Sequence, residues 1–142
     1  MVESINKIYS DIYNDLKNYI INNSKYNPYV GNKEPNDKKF PVVVIKDNFK
    51  DSNYTNLKYG ERIYIIDLEI NIYAIQYNNI PNNTIANELT DIIEKYFEEK
   101  YKLNIKISKN IPNIDSLVYR NLVNVKMKLD TKYNNKIMIS PV

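Results

Sequence analysis

Carboxylates, lysines and hydroxyls are the side chains left to do chemistry, because the 142 residues include no His and no Cys. Without Cys there are no disulfides, thiolate metal sites or Cys nucleophiles. Without His, the usual acid–base group near neutral pH and the commonest metal ligand are both missing. Asp67 and Glu69 form the most suggestive carboxylate pair, two residues apart in a run that alternates apolar and polar. A glycosidase-like use would need both in a shaped cleft. The alternation already accounts for them as an acidic strand facing the basic positions Lys126 and Lys128 of another strand.

Other chemistries lack parts. Asp47-Asn48-Phe49-Lys50-Asp51-Ser52-Asn53 offers oxygens at alternate positions, but it has no loop Gly and no closing Glu, and Lys50 opposes a cation. It reads as a solvated loop. Gly31 and Gly60 are the only glycines and stand far apart, so no phosphate-binding or dinucleotide loop can be assembled. No Ser or Thr has a recognisable activating partner. The chain therefore reads as a non-enzyme without cofactor. The C-terminal third carries Lys100, Lys102, Lys106, Lys109, Arg120, Lys126, Lys128, Lys132 and Lys136, with Tyr119 and Tyr133 between them. Single-stranded nucleic acid fits such a mixture. The aromatic spacing gives no regular stacking platform, and Asp67 and Glu69 are expected on the same face.

The elements that must carry these residues follow from periodicity. Ile5, Ile8, Ile12, Leu16, Tyr19 and Ile20 recur at helical steps, which predicts an amphipathic helix stopping near Asn22-Asn23-Ser24. Tyr26 to Lys39 reads as a loop broken by Pro28, Gly31 and Pro35. Phe40 to Ile45 reads as a short buried strand with Pro41 at its start. Lys46 to Gly60 is a long polar connection, either a flexible arm or one in which Tyr54–Lys58 starts a further strand. Glu61 to Gln76 alternates strictly, with Asp67, Glu69, Asn71 and Tyr73 on the polar side. A second helix enters at Pro81 to Thr84 and buries Ile85, Leu89, Ile92, Ile93, Tyr96 and Phe97. Asp91 with Lys95, and Lys95 with Glu99, are expected ion pairs on its outer side. Strands follow at Leu103 to Ser108 and Val118 to Leu129, with a turn region at Ile111 to Ser116 between them and a short final strand at Ile137 to Ile139.

The expected class is α+β: one domain over residues 1–142, order α-β-β-α-β-β plus the short final strand. Two amphipathic helices should cover one face of an antiparallel sheet. The other face should be polar and wet, or an interface. A net charge of +3 is weak for a duplex-DNA binder. No stretch has the uncharged apolar length of a membrane span, and Met1 to Ile21 lacks a signal-peptide core, so cytoplasmic synthesis is expected. The excess of Asn, Lys, Ile and Tyr points to an AT-rich genome, such as that of a low-GC bacterium or its phage, and explains most of the 14 Tyr.

Three stretches carry a resemblance over most of the chain. The first is the N-terminal helix followed by Phe40-Pro41-Val42-Val43-Val44-Ile45. The second is Tyr59-Gly60-Glu61-Arg62 leading into Ile65 to Ala74 and a helix rich in Ile and Glu. The third is Val118-Tyr119-Arg120-Asn121-Leu122-Val123 running to Leu129-Asp130. In these the chain resembles the tail terminator, or tail-to-head joining, proteins of tailed phages and contractile phage-like particles. It departs from their usual look in lacking a Gly after the second helix. The resemblance implies a virion structural protein, assembled in the host bacterial cytoplasm and placed at the neck. It would form a homo-oligomeric ring, usually a hexamer, on the tail tube protein and dock the head connector, in contractile particles also the sheath. It implies no membrane partner, and DNA only as it passes through the lumen. The interface residues expected on that reading are Asp47, Asn48, Asp51, Tyr54 and Lys58 in the polar connection, Asp67 and Glu69 on one long strand, and Arg120, Lys126 and Lys128 on the other. Another neck or tube-like virion protein is the alternative, and a single-stranded nucleic-acid-binding accessory protein the third reading.

Overall fold

Two long strands set the frame, because their alternating sequences bury one face each. The computed structural model describes residues 5–36, 39–47, 54–56, 61–75, 83–103, 105–111, 118–130 and 138–141. The elements run α1 (Ile5–Asn23), β1 (Tyr29–Gly31), β2 (Val42–Asp47), β3 (Tyr54–Asn56), β4 (Glu61–Ile75), α2 (Thr84–Tyr101), β5 (Lys106–Ile111), β6 (Val118–Asp130) and β7 (Met138–Pro141). β4 and β6 pair antiparallel from Ile63↔Asp130 to Ile75↔Val118. The sheet order is β1-β2-β4-β6-β5, with β3 on β4 and β7 on β6. Both long strands outrun their neighbours. β2 stops where Asp47 meets Leu68, and β5 starts where Lys106 meets Asn124. Beyond those points β3 takes Glu61 to Ile63 and β7 takes Met127 to Asp130.

The class is the expected α+β, but the sheet is mixed rather than wholly antiparallel. β1 lies parallel to β2, Tyr29 against Val42 and Gly31 against Val44. The Tyr29 N–H donates to the Pro41 carbonyl at 3.0 Å. Three residues between two breakers carry no periodicity, so the sequence there looks like a loop. The polar connection is also shorter than expected. Lys46 and Asp47 still belong to β2, and Tyr54–Asn56 forms the further strand as a hairpin with β4.

Parity sorts the two faces. Val43 and Ile45, then Ile66, Leu68, Ile70, Ile72 and Ala74, then Val123, Val125 and Met127 point to the helix layer. Ile12, Leu16 and Ile20 of α1, and Ile85, Leu89, Ile93, Tyr96 and Phe97 of α2, complete this core. Each Val, Leu, Ile, Phe or Met among them contributes about 1.5–3 kcal/mol by leaving water. α1 ends as predicted. The Asn23 side-chain amide donates to the Tyr19 carbonyl at 2.8 Å, and the Ser24 N–H donates to Ile20.

α2 begins less conventionally. Asn83 precedes it in the left-handed region, φ 73°, and makes no side-chain cap. At the other end, where the resemblance would put a Gly, Lys102 takes the left-handed conformation, φ 53°. The Lys102 N–H donates to Glu98 and the Leu103 N–H to Phe97, which closes the helix and turns the chain toward β5. An L-residue pays about 1 kcal/mol or more in that region. Lys102→Gly is therefore expected to raise stability by about 0.5–1 kcal/mol, read as a higher urea midpoint at unchanged slope.

α2 is pinned to the sheet by a buried polar group. Asn121 is fully buried, at a position whose parity faces the helices. Its amide nitrogen donates to Asn87 Oδ1 at 3.1 Å and to Thr90 Oγ1 at 3.0 Å. Its oxygen accepts the Asn110 N–H at 3.1 Å, and the Thr90 hydroxyl donates to the Ala86 carbonyl at 2.7 Å. One side chain thus ties α2, β6 and β5 together.

Candidate assembly surface

The helices leave the second face of the sheet uncovered, and its residues follow from the register. Across β2, β4, β6 and β5 the rows are Lys46–Glu69–Asn124–Lys106, Val44–Asn71–Leu122–Ser108 and Val42–Tyr73–Arg120–Ile111, with Asp67 opposite Lys126. This face was expected to be polar and wet, or an interface, and the structure divides it. On the β1–β2 side it is dry. Val42 and Val44 are buried, and so is Asn71. The Tyr29 ring lies over Gly31, where a Cβ would come within 2.5 Å of the Tyr29 hydroxyl. On the β5–β6 side Lys106 and Lys126 are exposed, and Asn124, Leu122 and Arg120 are half-buried.

Arg120 is the best-positioned of the expected interface residues. Its Nε and Nη2 both donate to Asn71 Oδ1, at 3.0 and 2.7 Å, and its guanidinium carbon lies 5.8 Å from the Tyr73 ring centre. Burial pushes the Tyr73 hydroxyl up in pKa; Arg120 pulls against that shift and Glu34 adds to it. Among the described residues no carboxylate forms an ion pair with Arg120. Sequence reading selected Arg120 but missed its partners. Asn71 was legible only as a polar-side residue of β4, and Glu34 sits in a stretch without periodicity.

The expected ladder between Asp67 and Glu69 and the two lysines is half realised. Asp67 does lie opposite Lys126, but no ion pair joins them among the described residues. Lys128 lies opposite Ile65, and Glu69 lies between Lys46 and Asn124 rather than beside a β6 lysine. The register is set by the apolar parity of both strands, and it offsets the charges by one row. Asp47 ends β2 on the helix side of the sheet, apart from Arg120. Tyr54 is placed by its pairing with Ile63. Asn48, Asp51 and Lys58 lie outside the described residues, as do positions 48–53 of the weighed cation loop and Tyr133. Tyr119 packs against the helix-side core and is not on the open face with Arg120.

Of the two ion pairs expected on α2, Lys95–Glu99 forms at 3.8 Å, whereas Asp91 and Lys95 make none among the described residues. Asp15 makes a stronger link that the helical pattern hid. It accepts the Tyr96 hydroxyl at 2.7 Å and the Lys100 ammonium, joining α1 to α2. Those two hydrogen bonds, Lys100 first, hold the Asp15 carboxyl below its ordinary value. The Asp15 hydrogen bond raises Lys100. Burial, then Asp15, raises Tyr96. Burial followed by the Asp47 charge pushes Tyr9 to about 12, and hydrogen bonding to Glu88 followed by burial pushes Tyr26 to about 12.

These shifts predict a stability plateau with two edges. The Asp15 contribution is full above the ordinary carboxylate value near 4 and is lost as pH falls below that value and through the lower folded one. The Tyr and Lys100 contributions are full below about pH 10 and are lost as pH rises, because the unfolded chain ionises first. With 14 Tyr and no Trp, tyrosinate absorbance gives a direct reading. Tyr9, Tyr26 and Tyr96, whose hydroxyls are raised, are expected to ionise only as the chain unfolds above about pH 10.

No protein-family model matches the chain. Among curated proteins it is similar to a MATH and LRR domain-containing protein of Plasmodium falciparum, 32% identical over 106 residues. That match takes in 73% of this chain but spans 1% of the relative's length. Among the described residues no group of three carboxylates is placed to hold a metal ion, and no helix is long and apolar enough to cross a membrane.

Proposed function

We propose that the chain is a structural ring protein of the tail-terminator kind, capping a phage or phage-like tail tube and presenting a docking surface to the head connector. The observation that supports this most is the shape of the molecule's chemistry. One sheet face is sealed by two helices, and the other carries fixed charges, with Arg120 held by Asn71 and no ion pair of its own among the described residues. Charged groups held at defined positions across a face can steer a partner and fix its register. A ring also needs two different complementary patches on each subunit, and a helix layer backed by an open sheet supplies two unlike faces. The resemblance in element order adds to this, and the sequence supplies no acid–base or nucleophile set that asks for another reading.

Genomic neighbourhood and assembly state together test it. Neighbouring genes for a tail tube and a head connector, and rings of tube-like diameter in negative stain, are the expected results. A chain that stays monomeric and retards labelled single-stranded DNA, with steep salt dependence, would instead favour the nucleic-acid reading.

A further inference from the structure

We infer that copies of this chain stack head to tail, with the exposed side of α2 in one copy seated on the open sheet face of the next and a carboxylate delivered to Arg120. The inference rests on the ring reading and names the contact that would build the ring.

The receiving side is set by Arg120. Its half-buried guanidinium has no ion pair among the described residues and is held in place by an amide oxygen that cannot neutralise it. Asn71 occupies Nε and one Nη2 hydrogen, leaving the Nη1 edge and one further N–H for a planar acceptor. A carboxylate suits such a fork better than a point anion does. Lys46, Lys106 and Lys126 are exposed on the same face, and none forms an ion pair among the described residues. Among the described side chains these four cations face Asp67, Glu69 and, beside Tyr73, Glu34, so the described part of the face is net positive.

The delivering side is on the opposite layer. Asp91, Glu94 and Glu98 are all exposed, and their spacing of three and four residues lines them along α2. None of them forms an ion pair among the described residues, whereas their neighbour Glu99 is taken by Lys95. The same helix turns Asn87 and Thr90 inward to Asn121 and Lys100 toward Asp15. Its acidic line continues the stripe of Asn87 at i+4, i+7 and i+11, so it runs along the exposed flank of α2 that looks away from α1, on the helix layer of the sheet. An acidic helix side and a basic sheet face on opposite layers of one subunit are complementary between copies and cannot meet within one. Contact between two unlike patches is heterologous, and its repetition closes a ring or runs on as a filament.

Charge reversal with exchange tests this contact. Glu94→Lys with Glu98→Lys in one variant, and Lys106→Glu with Lys126→Glu in another, alter exposed residues only, and unchanged circular dichroism and melting will certify their folds. Each alone is expected to weaken self-association roughly a hundredfold by light scattering at low salt, and mixing the two is expected to restore assembly. Arg120→Gln should weaken it without restoration by either. In a mixture of isotope-labelled and unlabelled wild type, a zero-length carbodiimide reagent should join Glu94 or Glu98 of one copy to Lys106 or Lys126 of another. Rings that tolerate both reversals, or cross-links at other positions, overturn this contact and leave the ring reading standing. A wild-type chain that neither self-associates nor cross-links overturns the contact too. It counts against the ring reading only if rings are also missing from assembled particles.

Discussion

Phe97→Ala is expected to destabilise the protein by about 3–5 kcal/mol and to lower its melting temperature by roughly 10 °C or more. Phe97 is fully buried in the core beneath α2. Its ring meets Tyr96 edge-on at 5.0 Å between centres and Tyr101 at 6.2 Å, and Tyr96 in turn packs on Tyr19 of α1 at 5.2 Å. Truncation removes the ring's burial and leaves a cavity that aromatic neighbours anchored on two helices cannot collapse to fill. The Phe97 carbonyl also accepts the N–H that closes the α2 C-terminus, but that backbone contact survives the substitution. Phe97→Leu retains most of the volume and should cost less than half as much by the same urea titration. Equal losses for both variants would mean that the ring geometry, rather than burial, holds the helix layer.

Asn121→Ala is expected to cost about 2–4 kcal/mol, more than a surface hydrogen bond would. The substitution strands the Asn110 N–H, Asn87 Oδ1 and the acceptor side of Thr90 in one stroke. Thr90→Val alone should cost less, because Asn121 keeps its contact to Asn87. The double variant should cost clearly less than the sum of the two, since both remove the same bond. Additive losses would show that the two residues act independently. Asn121→Asp is also expected to be damaging. An ionised carboxylate cannot donate to Asn87 or Thr90, and it would be buried without a counter-charge.

Why some of this was legible in the sequence and some was not comes down to the length of each pattern. β4 and β6 span enough residues for alternation to fix their faces, so the sequence alone assigns Ile66, Leu68, Val123 and Val125 to the core side, where they lie. The helical stripe placed Leu16, Ile20, Leu89 and Phe97 in the same way. β1 has three residues, and its parallel partner lies beyond a connection without periodicity, so nothing local announced it. Asn121 did leave a signal. Counting back by twos from Val123 puts it on the core side, where a polar residue must find partners, but the identity of Asn87 and Thr90 depended on how α2 crosses the sheet. Arg120 was singled out from its basic surroundings. Its fixed geometry came from Asn71, which lies opposite Leu122 and one row from Arg120's own partner Tyr73. The charge ladder failed in detail because apolar parity, not charge pairing, sets register. A one-row offset costs little at exposed ion pairs and would cost several kcal/mol in the core.

The assembly reading reaches furthest beyond the fold, and a gene deletion addresses it most directly. Particles from cells lacking this chain should carry tail tubes longer than normal, with no heads attached, when imaged by electron microscopy. Re-expression of the chain should restore both length and joining. Tails of normal length with heads attached, formed without this chain, would contradict the account.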